Sequence, residues 1–149
     1  MAVPLVGVTD RALTALLRVI RRKTHGVRFR TVRSGDGRLW PVYHRRPEPE
    51  TMNDGVPIVF FHGFGNDGTT WLSFFDLLGT RRELVAPDLP GFGAHALEEG
   101  DDPVPTWYRR RTAAFLRELT VRWGQPPIVV GKSMGGLVAG LLAGEVPEL

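Results

Sequence analysis

The hydrophobic positions of the chain follow a helical period first and a strand period second. In residues 10–23, leucine and isoleucine recur three and four positions apart, which predicts an amphipathic helix that Gly26 ends. In residues 27–43, Val27, Phe29 and Thr31 alternate with arginines before a Ser-Gly-Asp-Gly turn, and Leu39-Trp40 opens a second strand after it, which predicts a β-hairpin. Pro41 lacks a backbone N–H, so the second strand should lie at an edge of the sheet or carry the proline at an end.

Continuous apolar runs replace this alternation from residue 57 onward. Runs of this kind are typical of strands that are buried on both faces of a parallel sheet. Stretches with helical patterns separate them, and this order favours an α/β fold with a mostly parallel sheet. The predicted strands cover residues 57–61, 84–87 and 127–130, and the predicted helices cover residues 70–78, 105–123 and 134–143.

The composition is typical of a globular chain and indicates neither a metal site nor a disulfide. Its 149 residues, 42% of them hydrophobic and 23% charged, are enough to form one domain with a sizeable core. There is no cysteine, and the four histidines, His25, His44, His62 and His95, do not have metal-ligand spacing. We therefore expect no metal ion and no disulfide.

Charge is divided unevenly along the chain. Residues 1–46 hold eleven basic and two acidic side chains, for a net charge of +9, whereas the remaining residues carry −6. Two interpretations remain open: a solvated face that contacts the acidic remainder, or peripheral attachment of residues 10–23 to an anionic surface such as lipid headgroups. Few aromatic residues accompany the basic ones, so we expect no nucleic-acid partner.

The hydropathy of the chain predicts no membrane-spanning helix, because no apolar run approaches about 18 residues. The first ten residues lack the positive start and the long apolar stretch of a cleaved signal peptide. We expect a cytoplasmic protein, with peripheral membrane contact as the second interpretation.

The stretch GKSMGG at residues 131–136 carries the candidate chemistry. Its first three residues could end a phosphate-binding P-loop, but that motif requires a glycine at the position occupied by Pro126. The same residues form G-x-S-x-G between a predicted strand and a predicted helix, which is the pattern of a nucleophile elbow centred on Ser133. Gly131 and Gly135 would allow the strand and the helix to approach closely there.

A second glycine-rich stretch, GFGNDG at residues 63–68, allows two interpretations. It follows a strand, and Asp88 lies twenty residues after Gly68, so it satisfies the fingerprint of a dinucleotide-binding loop. It is also preceded by His62 and forms H-G-x-G, a loop that can turn a backbone N–H toward an oxyanion. This second interpretation accounts for Ser133 as well, and it makes Asp88 a structural residue that binds local backbone.

Three motifs in the order HGFG, DLPGFG and GKSMGG together resemble the α/β-hydrolase fold family, especially its lipase and monoacylglycerol-lipase-like members, over about residues 27–149. The resemblance implies a serine hydrolase that acts on a small apolar carboxylic ester through an acyl-enzyme, without a cofactor. It implies Ser133 as the nucleophile and the backbone N–H groups of Phe64 and Met134 as oxyanion donors. The supporting residues would be His62, Gly63, Gly65, Gly131 and Gly135.

The same resemblance implies residues that this sequence does not contain. In the family an acid and then a histidine follow the serine, but the sixteen residues after Ser133 contain no histidine. We expect a basic helix over residues 1–26 and the N-terminal half of a hydrolase domain over residues 27–149, with little activity alone and an uncovered edge at the strand of residues 127–130. The alternatives are a dinucleotide-binding domain that uses GFGNDG and Asp88, and a non-catalytic interaction module of hydrolase ancestry.

Overall fold

A computed structural model of the chain describes residues 26–49 and 55–143. The helix expected at residues 10–23 lies outside these ranges. The division at residue 26 therefore stays a prediction. None of the helices within the described ranges is long and apolar enough to cross a membrane.

The described residues form one five-stranded sheet with helices on its faces. The strand order is β1-β2-β4-β3-β5, in which β3, β4 and β5 are parallel while β1 and β2 are antiparallel to their neighbours. This confirms the α/β class. The strands are β1 (Arg28–Arg33), β2 (Leu39–Arg45), β3 (Ile58–Phe61), β4 (Leu84–Pro87) and β5 (Ile128–Gly131), and the helices are α1 (Leu72–Leu77), α2 (Pro105–Trp123) and α3 (Met134–Ala143), with a 3-10 turn at Gly68–Trp71.

Alternation along the central strand β3 divides the core between the two faces of the sheet. Phe61 is fully buried against α2 and α3, in a cluster where Trp40 stacks on Phe115 with ring centroids 4.4 Å apart. Its neighbour Phe60 points to the opposite face and packs with Trp71 and the α1 side. Successive side chains of a strand point to opposite faces, so a continuous apolar run serves both layers.

The structure tests the expected positions of β5 and β2. The apolar run at β5 predicts a buried strand, which is wrong, since Ile128 is 46% exposed and the rest of β5 is half-buried. The edge expected at residues 127–130 is found, because β5 is the last strand in the order. Of the two positions expected for Pro41, the structure has the one near a strand end, because β2 is not an edge strand but lies between β1 and β4. Pro41 is tolerated because it lies near the start of β2. It precedes Val42, the residue at which the pairing of β2 with β4 begins, opposite Pro87.

Candidate active site

A sharp corner joins β5 to α3, and Ser133 occupies it. Ser133 has φ of 52°, and it is the one non-glycine residue with positive φ within the described ranges. The corner is fixed on both sides, because the Lys132 N–H donates to the Phe61 carbonyl at 3.1 Å and the Leu137 N–H donates to the Ser133 carbonyl at 3.0 Å. Such a backbone costs about 1–3 kcal/mol and persists only where the surroundings impose it. The serine side chain is left exposed to solvent.

The two glycines around the serine lie where backbone meets backbone. A Cβ atom on Gly131 would overlap the carbonyl of Gly135, and a Cβ atom on Gly135 would overlap the carbonyl of Phe61, each far closer than real Cβ atoms come. Larger residues would therefore push α3 away from β3 and β5. The G-x-S-x-G spacing thus has a steric cause in this fold.

The loop after β3 lies beside this corner. A Cβ atom built on Gly63 would be 3.4 Å from the Ser133 Cβ, so residues 63 and 133 are direct neighbours. The loop folds back on itself, since the Asn66 N–H donates to the Gly63 carbonyl at 3.2 Å and the Asn66 side-chain amide donates to the Phe64 carbonyl at 3.2 Å. Gly65, with φ of 71°, allows the reversal.

Phe64 and Met134 directly follow the two neighbouring residues Gly63 and Ser133 along the chain. The Phe64 N–H has no acceptor within the described residues, and Met134 opens α3, where the first N–H groups have no partner inside the helix. The Phe64 side chain is 76% exposed and contacts Phe92 edge-on with centroids 5.4 Å apart. The sequence carries no signal that Asn66 and Phe92 are site residues, although Asn66 lies within GFGNDG and Phe92 within DLPGFG.

His62 is buried and both of its ring nitrogens are engaged. Nε2 accepts a hydrogen bond from the Leu89 N–H at 2.9 Å, so the proton is on Nδ1, which donates to the Gly63 carbonyl at 2.8 Å. The ring is 0% exposed and also contacts Phe92 edge-on. His62 therefore supports the loop and has no free nitrogen with which to take a proton from Ser133.

The carboxylate of Asp88 is likewise fully engaged by hydrogen bonds from nearby backbone groups. Its two oxygens accept the N–H groups of Gly68 at 2.8 Å and Ala94 at 2.7 Å, and the residue is 0% exposed. Burial raises the pKa of Asp88, and the hydrogen bonds from Ala94 and Gly68 oppose that rise. Because neither oxygen can reach a ribose, the dinucleotide alternative does not fit.

The other described histidines are held away from the corner. His95 is 8% exposed and its Nδ1 lies 2.9 Å from the Asp88 carbonyl oxygen, while His44 contacts Glu83 on the hairpin side of the sheet. Burial lowers the pKa of His95 despite that hydrogen bond. Within the described ranges, the histidine side chains have their hydrogen bonds with residues other than Ser133, and no three acidic or histidine side chains group together as ligands for a metal ion.

The chain belongs to the alpha/beta hydrolase family, whose sequence profile matches residues 58–147. This places it among enzymes that include named esterases. A pimeloyl-[acyl-carrier protein] methyl ester esterase from Aeromonas salmonicida (strain A449) is 35% identical over 99 residues, which are 66% of this chain and 36% of that protein. The dihydrolipoyllysine-residue acetyltransferase component of an acetoin cleaving system from Pseudomonas putida is 37% identical over 97 residues, 63% of this chain and 24% of that one.

Solved structures agree with this assignment. The crystal structure of a membrane phospholipase A, described as a novel bacterial virulence factor, matches with a TM-score of 0.72 and 28% identity. The match covers 93% of this chain and 42% of the phospholipase. The chain thus spans about a third of the length of the esterase and less than half of the phospholipase.

Proposed function

We propose that this chain carries the nucleophile and the oxyanion donors of a carboxylic ester hydrolase. Ser133 is the nucleophile, and the backbone N–H groups of Phe64 and Met134 bind the oxyanion. The observation that supports this most strongly is the position of Ser133: an exposed hydroxyl on a strained corner, in direct contact with the loop that begins at Gly63.

The proposed reaction is acyl transfer in two steps. The Ser133 hydroxyl attacks the ester carbonyl and gives its proton to a base, and the carbonyl oxygen becomes an oxyanion between the two N–H donors. Collapse expels the alcohol, which takes up a proton, and leaves an acyl-serine that water then hydrolyses. Removing one such donor typically lowers the rate by about 10²–10³-fold.

The general base has to come from outside the described residues. The nitrogens of His62 are both used, and His44 and His95 contact other groups. A serine without a base is a weak nucleophile. We propose that the base and its acidic partner belong to residues that follow the corner in a longer protein, in the family order of serine, acid and histidine, and that residues 27–149 alone react slowly.

The substrate we propose is a small ester with an apolar acyl or alcohol group. The exposed ring of Phe64, supported by Phe92, offers an apolar surface beside Ser133. The similar proteins act on a pimeloyl methyl ester and, by name, on phospholipids, which is compatible with an apolar chain. Residues 1–26 would form a separate basic helix, and its peripheral contact with a membrane through residues 10–23 belongs to the same proposal.

The test compares the chain with Ser133→Ala and, as a matched control, Ser73→Ala, which removes another exposed serine hydroxyl, on α1. Each protein is treated with a fluorophosphonate, with and without added imidazole as an external base, and the labelled residue is identified by peptide mass spectrometry. We expect labelling at Ser133, faster with imidazole, absent in Ser133→Ala and unchanged in Ser73→Ala. Equal labelling of several serines would contradict the proposal and favour the non-catalytic interaction module.

A further inference from the structure

Three arginines of the hairpin lie on one surface that the proposed chemistry does not use. Arg28, Arg30 and Arg46, called here the arginine face, line two adjoining grooves of about 270 and 290 Å³. Both grooves contain Arg30, His44 and Arg46. The two cavities therefore form one continuous depression with basic side chains along it.

The strand register explains why these arginines converge. Arg28 pairs with His44 across β1 and β2, and Arg30 follows two residues later on the same face of β1. Arg46 follows His44 by two residues, which makes it a diagonal neighbour of Arg28. Diagonal neighbours in a sheet are about 7–8 Å apart, within reach of long side chains. Three cations are thus concentrated around one histidine.

None of the three arginines has a hydrogen bond or an ion pair with another described residue. The other arginines of the hairpin differ: Arg33 binds the Gly37 carbonyl, Arg38 binds Asp101, and Arg45 binds Asp76. The two nearby acidic side chains also have other partners. Glu83 contacts His44, and Glu48 has an interaction of its own. Within residues 26–49 and 55–143, no ion pair therefore neutralises the positive charge of the arginine face.

The sequence ahead of the hairpin adds to this charge. Residues 1–25 contain five basic side chains and one acid, Asp10, so they offer the arginine face almost nothing with the opposite sign. Clustered like charges lower the stability of a folded chain. Guanidinium groups are suited to phosphate, and Glu83 and Glu48, the acids that line the two grooves, are engaged with other groups.

Apolar side chains adjoin the arginines in the first groove. Val32 and Trp123 are half-buried there, over the buried Leu119 of α2. A ligand that fills this groove would place an anionic group on the guanidinium groups and an apolar part against Trp123. We propose that the arginine face binds the phosphate of an anionic phospholipid headgroup and that it attaches this edge of the protein to an anionic bilayer.

The arginine face is distant from Ser133. The strands β1 and β5 are the two outer strands of the sheet, four inter-strand spacings or roughly 19 Å apart. Binding of headgroups to the arginine face therefore leaves the serine corner open, and the proposal does not rest on the proposed catalytic chemistry. Ser133→Ala should bind vesicles as the unaltered chain does.

The experiment measures cosedimentation of the full chain with vesicles of phosphatidylcholine alone or with about 30% phosphatidylglycerol, at about 0.1 M salt where surface charges still act over about 10 Å. The test variant is Arg28→Gln, Arg30→Gln and Arg46→Gln combined. The control is Arg109→Gln, Arg110→Gln and Arg117→Gln, which removes the same charge from α2. Circular dichroism checks that both remain folded.

We expect binding only to vesicles that contain phosphatidylglycerol, reduced on the order of 100-fold in the test variant at about 1 kcal/mol per basic residue, and reduced much less in the control. Equal losses in both variants would mean that net charge alone acts, which overturns the proposal. A retained affinity in the test variant, lost instead in Arg21→Gln, Arg22→Gln and Lys23→Gln combined, would assign binding to the N-terminal segment and also overturn it. Saturable binding of inorganic phosphate without vesicle binding would exclude the lipid source.

Discussion

The Nε2 atom of His62 accepts a hydrogen bond from the backbone N–H of Leu89 at 2.9 Å. This bond joins the loop after β3 to the loop after β4. Because Nδ1 of the same ring binds the Gly63 carbonyl, one buried imidazole fixes the loop that lies against Ser133. The resemblance of the sequence implies that His62 supports this loop, and its two hydrogen bonds favour that role over the role of a base.

Replacing His62 should therefore lower stability first and reactivity as a consequence. We expect His62→Ala to lower the free energy of unfolding by about 3 kcal/mol, because it leaves a buried N–H and a buried carbonyl unpaired and creates a cavity. Urea unfolding measures this. His62→Asn and His62→Gln can each keep one of the two bonds and should lie between. If His62 were the base, His62→Gln would abolish labelling of Ser133 while leaving stability largely intact.

The contact between α3 and β3 predicts opposite effects for alanine at two glycines of the same helix. Gly135→Ala should destabilise the chain by about 3 kcal/mol, because the added methyl group meets the Phe61 carbonyl. Gly140→Ala, where no atom lies within 4 Å of the new Cβ, should stabilise it by about 0.5–1 kcal/mol. Thermal or urea unfolding of both variants provides the comparison. Similar effects at the two positions would show that the close approach is absent.

The pH dependence of stability should include a contribution from His95. Burial lowers the pKa of His95 below its ordinary 6.5, so the unfolded chain takes up a proton at a higher pH than the folded one. Its contribution is therefore complete above pH 6.5 and is lost as the pH falls through that value toward the lower folded pKa. His95→Gln cannot titrate there. Between pH 7.5 and 5.5 the unaltered chain should lose up to about 1 kcal/mol relative to this variant. A constant difference would contradict the burial argument.

Asp88→Asn tests whether the two hydrogen bonds to Asp88 are structural. The carboxylate accepts from two backbone N–H groups, whereas an asparagine presents one acceptor and one donor to them. We expect a loss of about 1–3 kcal/mol in the free energy of unfolding, because one buried N–H then faces another donor. Asp102→Asn, at an exposed loop position, is the matched control and should change stability by less than about 0.5 kcal/mol.

Local pattern was sufficient for the secondary structure and insufficient for strand position. The apolar runs marked β3, β4 and β5 because burial on both faces removes alternation, and the glycines at residues 131 and 135 marked the corner. Whether a strand is inner or outer depends on the order of the strands, which pairs residues far apart in the chain. The apolar run alone therefore predicted a buried Ile128, and the edge at β5 was expected only from the family resemblance. For Pro41, the sequence left an edge strand and a strand end as alternatives.

The candidate site, too, was predicted only in part from the sequence. The order of the motifs predicted that the loop at Gly63 and the corner at Ser133 belong together, and the fold brings them into contact. The partners of His62 and the contact between Phe64 and Phe92 join loops from different strands. Such contacts leave no periodic signal in the sequence, so only the three-dimensional structure reveals them.

The register of β5 on β3 pairs Ile58 with Ile128, residues separated by seventy positions. The hairpin β1–β2, by contrast, pairs residues that are close in sequence. Closing the longer loop costs more chain entropy, so β5 should dock late in folding, after the hairpin has formed. On the ribosome, the serine corner would then be assembled only after β5 and Ser133 had emerged. A nascent chain that stalls before that point would have a folded hairpin but no reactive hydroxyl.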